Sequence, residues 1–151
     1  MKQEEYLSEN GHPPIVCRGI RGATTPAENT SEAILEATRE LLTQIVEANH
    51  GLKPDDVASV FFTTTPDLDA EYPALAARQL GWTDVALMCG QEMTVPGALK
   101  KCLRVLIHWN TTRRNDEIRH IYLRDAVNLR PDRSLKNYQK QDIPQREDVR
   151  Q

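Results

Sequence analysis

Apolar residues at helical spacing, Ile34, Leu35, Leu41, Leu42, Ile45 and Val46, mark one long amphipathic helix, and Asn29, Thr30 and Ser31 before it supply N-cap candidates. Asn49-His50-Gly51 closes that run. Elsewhere the apolar runs shorten to strand length. Residues 15–22 read as one strand and 57–65 as a second, rich in β-branched and aromatic residues and ended by Pro66. Residues 85–89, 101–111 and 118–127 read as three more, the last following a charged turn at 113–117. Pro73 opens a short helix over 73–80 that Gly81 stops. The order is β-α-β-α-β-β-β, an α+β domain over residues 15–131. Residues 1–14 are polar and acidic and read as a flexible extension, and 132–151 as a polar tail without periodicity.

Composition narrows the function classes. A chain of 151 residues reads as one domain, long enough to bury roughly 68 to 70% of its unfolded surface without staples. Cys17, Cys89 and Cys102 form neither a close ligand pair nor an even framework, which implies a reduced, cytoplasmic protein with the two strand cysteines, Cys17 and Cys102, as small core residues. No apolar run approaches membrane-spanning length, and residues 1–14 lack the apolar core of a signal peptide. A formal charge of −3 and a pI near 5.8 argue against nucleic-acid binding. The charge is uneven: residues 113–151 carry +3 against −6 for 1–112, which suits an anionic ligand or an acidic neighbouring subunit. The four histidines show no metal-ligand spacing, so no metal is expected.

Two constellations carry candidate chemistry. In Arg18-Gly19-Ile20-Arg21-Gly22, two permanently charged guanidiniums sit inside an apolar strand and require anionic partners, either buried carboxylates or a bound anion. The glycines permit close approach of another group at some cost to the strand. Arg18 and Arg21 are three apart, so strand geometry sends them to opposite faces and only one can meet a given ligand. The second constellation is Cys89-Gly90-Gln91-Glu92-Met93 just past a strand, with Arg104 inside the next. Neighbouring strands would bring Glu92 and Arg104 to one sheet edge; otherwise they are an exposed turn residue and a strand-edge cation. Cys102, Arg104, Leu106 and His108 share one face and Leu103, Val105, Ile107 and Trp109 the other, which puts Arg104 on the more polar side.

Six blocks in order, 18–25, Thr65-Pro66-Asp67-Leu68, Gln91-Glu92-Met93, 99–105, 118–123 and Leu129-Arg130-Pro131-Asp132, together resemble the monofunctional AroH-class chorismate mutases over about residues 16–135. The resemblance implies conversion of chorismate to prephenate, on the route to phenylalanine and tyrosine, by a concerted Claisen rearrangement needing no cofactor. It implies a homotrimer whose mixed five-stranded sheets, packed with one long and one short helix, form a pseudo α/β barrel with active sites between subunits. By the same resemblance Arg104 stands beside the ether oxygen, Arg21 clamps a substrate carboxylate, Tyr122 donates to a carboxylate, and Glu92 accepts from the ring hydroxyl. Cys89 would be a contact residue rather than a nucleophile, in a lining that includes Met88, Gly90 and Gln91. Tyr72 and Arg78 would come from the adjoining subunit, Leu129 and Arg130 would close over the pocket, and Arg18 is left to a structural or intersubunit ion pair.

The chain departs from the family pattern at Leu75, where a lysine can stand, at Met88, in place of a small hydroxyl residue, and at Tyr72, in place of phenylalanine. The first two remove polarity at the rim, which implies weaker or slower binding of a dianion with less effect on the rearrangement itself. A non-catalytic trimer sensing a small carboxylate in the same pocket is the alternative function, and a fold-related imine deaminase a third, opposed by Gln91-Glu92-Met93.

Overall fold

The computed structural model describes residues 7–130. Its elements are β1 (Val16–Thr24), α1 (Ser31–Ala48), β2 (Val57–Thr64), α2 (Ala74–Gln79), β3 (Ala86–Gln91), β4 (Leu103–Thr111) and β5 (Ile121–Tyr122). They occur in the order that the hydrophobic pattern predicts. Thr30 is the N-cap of α1, its hydroxyl accepting from the Ala33 N–H at 3.2 Å. Asn29 acts at longer range, its carbonyl oxygen accepting from the N–H groups of Asp69 and Ala70 and so tying the start of α1 to the loop after β2.

The five strands form one mixed sheet in the order β3-β2-β4-β1-β5. β4 is inserted between β1 and β2 and antiparallel to both, while β3 and β5 pair in parallel at the edges. The parallel β2–β3 pair needs a crossover, and α2 lies within it. One face of the sheet is the core. Ile20, Val60, Phe62, Leu103, Val105, Ile107 and Trp109 meet Ile34, Leu41, Leu42 and Ile45 of α1 there. At Gly22 the fit is closest: a Cβ would stand 2.9 Å from both Ile45 Cδ1 and Val105 Cγ1. The glycine in β1 therefore admits the side chains of α1.

Among the described residues the other face carries no helix. Phe61, Met88 and Leu106 are 40, 61 and 37% exposed on it, neighbours across β2, β3 and β4. Cys17 also lies exposed, so its expected place in the core is corrected: parity puts it opposite Val16 and Arg18. Cys102 is buried as expected. Trp82 is buried as a packing residue, and Trp109 faces α1.

β1 and β3 run two residues further than the pattern gives, to Thr24 and Gln91, and two other boundaries differ for a local reason. The run 118–127 contains only a two-residue strand, because Arg124 takes a left-handed φ of 52° and turns the chain into a 3₁₀ segment at Arg124–Leu129. Asp125 then donates its N–H to the Thr25 hydroxyl, holding the turn against the end of β1. β4 starts at Leu103 rather than at Lys101, whose φ of 47° cannot continue a strand. Both oxygens of Asp67 accept from the Lys101 N–H, at 2.9 and 3.1 Å. The tail expected at 132–151 lies outside the described residues.

Candidate active site

Sheet register sets one row of residues across the face without helices: Tyr122 on β5, Ala23 on β1, Arg104 on β4, Thr63 on β2 and Gly90 on β3. Paired residues point to the same side, so Arg104 is flanked by the small Ala23 and the hydroxyl of Thr63. Arg21 lies in the next row, opposite Leu106, and β1 alternation sends Arg18 to the other side as expected. Glu92 follows β3 immediately and donates its N–H to the Thr64 carbonyl at 2.9 Å, which extends the β3 alignment by one more bond.

Arg104, Glu92, Arg21 and Tyr122 thus come together around a recess of about 260 Å³ that Gly22, Phe61, Thr63, Val105 and Leu106 complete. Arg104 Nε stands 3.6 Å from Glu92 Oε2, with side-chain exposures of 48 and 28%. That pair is reached by solvent, so its net contribution to stability is small, about 0 to 1 kcal/mol. Its value is positional. Glu92 Oε2 also accepts the Thr63 hydroxyl at 2.7 Å, and Oε1 accepts the Met93 N–H at 3.2 Å. Two guanidiniums face one carboxylate, which leaves the recess net positive. The Arg21 side chain has no hydrogen bond or ion pair among the described residues; its backbone N–H donates to His120 Nδ1 at 2.9 Å, securing β1 beside β5.

Tyr122 is anchored by a small cluster with Ala23, Cys102 and Ala126, against which Leu99 and Leu129 pack. Leu129 ends the 3₁₀ segment and Arg130 caps it. Burial pushes the Cys102 thiol up despite the neighbouring Arg104 charge, so it stays protonated at neutral pH.

The remaining site candidates lie apart from this recess. Cys89 pairs with Phe62 and points to the core side of β3, whereas Met88 points to the open side. A second recess, of about 540 Å³, gathers Cys89, Gly90 and Gln91 with Tyr72 and the loop after β2. Tyr72 is 70% exposed at its rim. Burial raises the Cys89 pKa, partly offset by the Ala74 backbone and by Arg78, so this thiol is no ready nucleophile. Glu71 has its pKa lowered by the Tyr72 N–H, then by the Ser31 hydroxyl, with Arg78 contributing at longer range. Arg78 on α2 does not itself line this recess, and Leu75 is half-buried one turn before it. Arg18 meets no carboxylate among the described residues: its Nε donates to the Arg113 carbonyl at 2.9 Å, a correction to the expected ion pair within the chain. Thr63 was not a candidate from sequence. Only the β2–β3 register brings it to Glu92, and the signal available was a threonine run ending a strand.

A family model described as chorismate mutase type I matches residues 17–133. The chain belongs to the type I chorismate mutases. It is 52% identical over 115 residues to chorismate mutase AroH of Thermus thermophilus, covering 76% of this chain and 94% of that protein. Against chorismate mutase AroH of Bacillus subtilis (strain 168) it is 51% identical over 122 residues, 80% of this chain and 95% of the relative. The structure of a chorismate mutase from Clostridium thermocellum superposes with a TM-score of 0.70 at 50% identity, covering 72% of this chain and 96% of that one. This chorismate mutase is accordingly an isomerase of aromatic amino acid biosynthesis, with chorismate as substrate and prephenate as product. Among the described residues no helix is long and apolar enough to cross a membrane, and no group of three or more His, Cys, Asp or Glu is placed to hold a metal ion.

Proposed function

We propose that this chorismate mutase accelerates the rearrangement by conformational restraint and by a cation fixed at the ether oxygen, with the site assembled between copies of a cytoplasmic homotrimer. The observation that carries the reading is the meeting of Arg21, Glu92, Arg104 and Tyr122 in one net-positive recess. Chorismate is a dianion. Its side arm must be held over the ring, and such restraint is worth up to ~7 to 11 kcal/mol in favourable intramolecular reactions. Arg21 presents a planar fork to one carboxylate and Tyr122 a hydroxyl to a carboxylate, while Glu92 accepts from the ring hydroxyl. As the C–O bond breaks, negative charge grows on the ether oxygen. Arg104, already fixed, stabilises that oxygen more in the transition state than in the ground state.

The second recess supports the trimer. Cys89, Gly90, Gln91 and Tyr72 surround it, with Arg78 nearby, and β3 beside it is an edge strand. Packing that edge of one copy against the open sheet face of the next would cover Phe61, Met88 and Leu106 and join the two recesses into one site. Leu129 and Arg130, at the end of the 3₁₀ segment, then flank the opening. Replacing the rim lysine and hydroxyl of the family pattern by Leu75 and Met88 weakens capture of the dianion more than turnover.

Purified protein is expected to consume chorismate, read as loss of its ultraviolet absorbance, without added metal or redox cofactor. Arg104→Ala is expected to lower kcat by on the order of 10² or more, the scale of removing one preorganised donor. A variant with near-normal kcat removes Arg104 from the mechanism; unchanged absorbance with measurable carboxylate binding turns the reading to a sensor.

A further inference from the structure

We propose that Thr63 is a positioning residue that holds the Glu92 carboxylate off Arg104 and keeps both available to substrate. The proposal rests on the catalytic roles assigned to Glu92 and Arg104. Thr63 sits on β2 in the same row as Arg104 on β4 and Gly90 on β3, so its Cα is fixed by pairing on both sides. Being β-branched, it has few rotamers, and the direction of its hydroxyl is set by the strand. That hydroxyl donates to Glu92 Oε2 at 2.7 Å, the oxygen that faces Arg104 Nε at 3.6 Å. The longer distance is informative. A charge-assisted N–H···O bond closes to about 2.7–2.9 Å, and a guanidinium left alone with a carboxylate would do so in a fork.

Thr63 supplies a competing donor from the flank, and Met93 N–H holds the other oxygen at 3.2 Å. The carboxylate is therefore oriented by a hydroxyl and an amide, with the cation attracted to it but not hydrogen-bonded to it. Arg104 and Glu92 both line the recess, so each stays open to a ligand there. Without the Thr63 hydroxyl, Oε2 would rotate onto Arg104. Substrate would then have to break an ion pair before its ether oxygen could be met. The cost falls on turnover as well as on binding, because Arg104 would reach the transition state already neutralised.

The test compares Thr63→Val, which keeps the shape and removes the hydroxyl, with Thr63→Ser, which keeps the hydroxyl. Thr63→Val is expected to lower kcat/KM by ~10-fold or more, the scale of a hydrogen bond to a charged group, with kcat itself reduced and Tm nearly unchanged. Thr63→Ser is expected to recover most of the loss. In the Glu92→Gln background the same Thr63→Val change is expected to add less than about 2-fold, since the two residues act as one unit. Full additivity, or a Thr63→Val enzyme with unchanged kcat and kcat/KM alongside an impaired Glu92→Gln, overturns the proposal. Glu92→Gln with undiminished turnover overturns instead the reading of Glu92 on which it rests. Should Thr63→Val lower Tm into the assay range, Thr63→Ala takes its place in the same three comparisons.

Discussion

Gly22 shows how one residue joins the fold to the site. It follows Arg21 on β1, lies in close contact with Ile45 and Leu41 of α1, and lines the recess with Arg104 and Tyr122. Gly22→Ala would force Ile45 and Val105 apart, overpacking that costs about 1 to 3 kcal/mol. Chemical denaturation should show that loss; an alanine variant as stable as the parent would mean that α1 can shift freely. Sequence inspection predicts that the glycines admit a close neighbour and sends Arg18 and Arg21 to opposite faces, because alternation is a local rule. It leaves open what approaches Gly22, since Leu41 and Ile45 are on a different element, and it gives Arg18 a structural or intersubunit ion pair where, within the described residues, the structure supplies the Arg113 carbonyl.

At the scale of elements, the latch between the β2–α2 turn and the start of β4 aligns Arg104. Thr65 donates its N–H to the Cys102 carbonyl and accepts the Cys102 N–H on its hydroxyl, while Asp67 holds Lys101 in its left-handed conformation. The Thr65 hydroxyl first, and the Lys101 N–H second, hold the Asp67 carboxyl below the usual carboxylate range. A lowered folded pKa means that this contribution is complete above the unfolded value, about 4, and is lost as pH falls through the lower folded one. The stability gap between parent and Asp67→Asn should therefore be constant from about pH 6 to 8 and narrow below about pH 4. A gap independent of pH down to about 2 would show that the charge of Asp67 is not what holds Lys101. Long elements such as α1 and β2 were legible because periodicity needs only the chain itself. The end of β5 and the start of β4 were not: Arg124 and Lys101 both turn at positive φ, and at Lys101 the tie is a side chain 34 positions away.

For the molecule as a whole, the open sheet face is the feature that matters. Phe61 lies between Leu106 and Met88, with its ring edge-to-face against His108 at 5.8 Å. A charge there would oppose burial against a second copy. On the proposed trimer, Phe61→Lys should sediment as a monomer and lose activity, because the Tyr72 and Arg104 recesses would no longer meet. A monomeric parent enzyme with full turnover would show that one chain suffices. The residues of the Arg104 recess were legible as family blocks, and the resemblance already set Tyr72 apart from them, but the separation of Cys89 was not, since it follows from the β2–β3 register that pairs Cys89 with Phe62.

That order also governs synthesis. Both partners of β1 lie far downstream, Val16 pairing with Thr111 and Ala23 with Tyr122, so β1 stays unpaired until β4 and β5 have been made. An unpaired strand of alternating apolar residues recruits other chains unless charge interrupts it. Arg18 and Arg21 supply that charge, and the cation proposed to meet substrate in the finished enzyme also guards the nascent one.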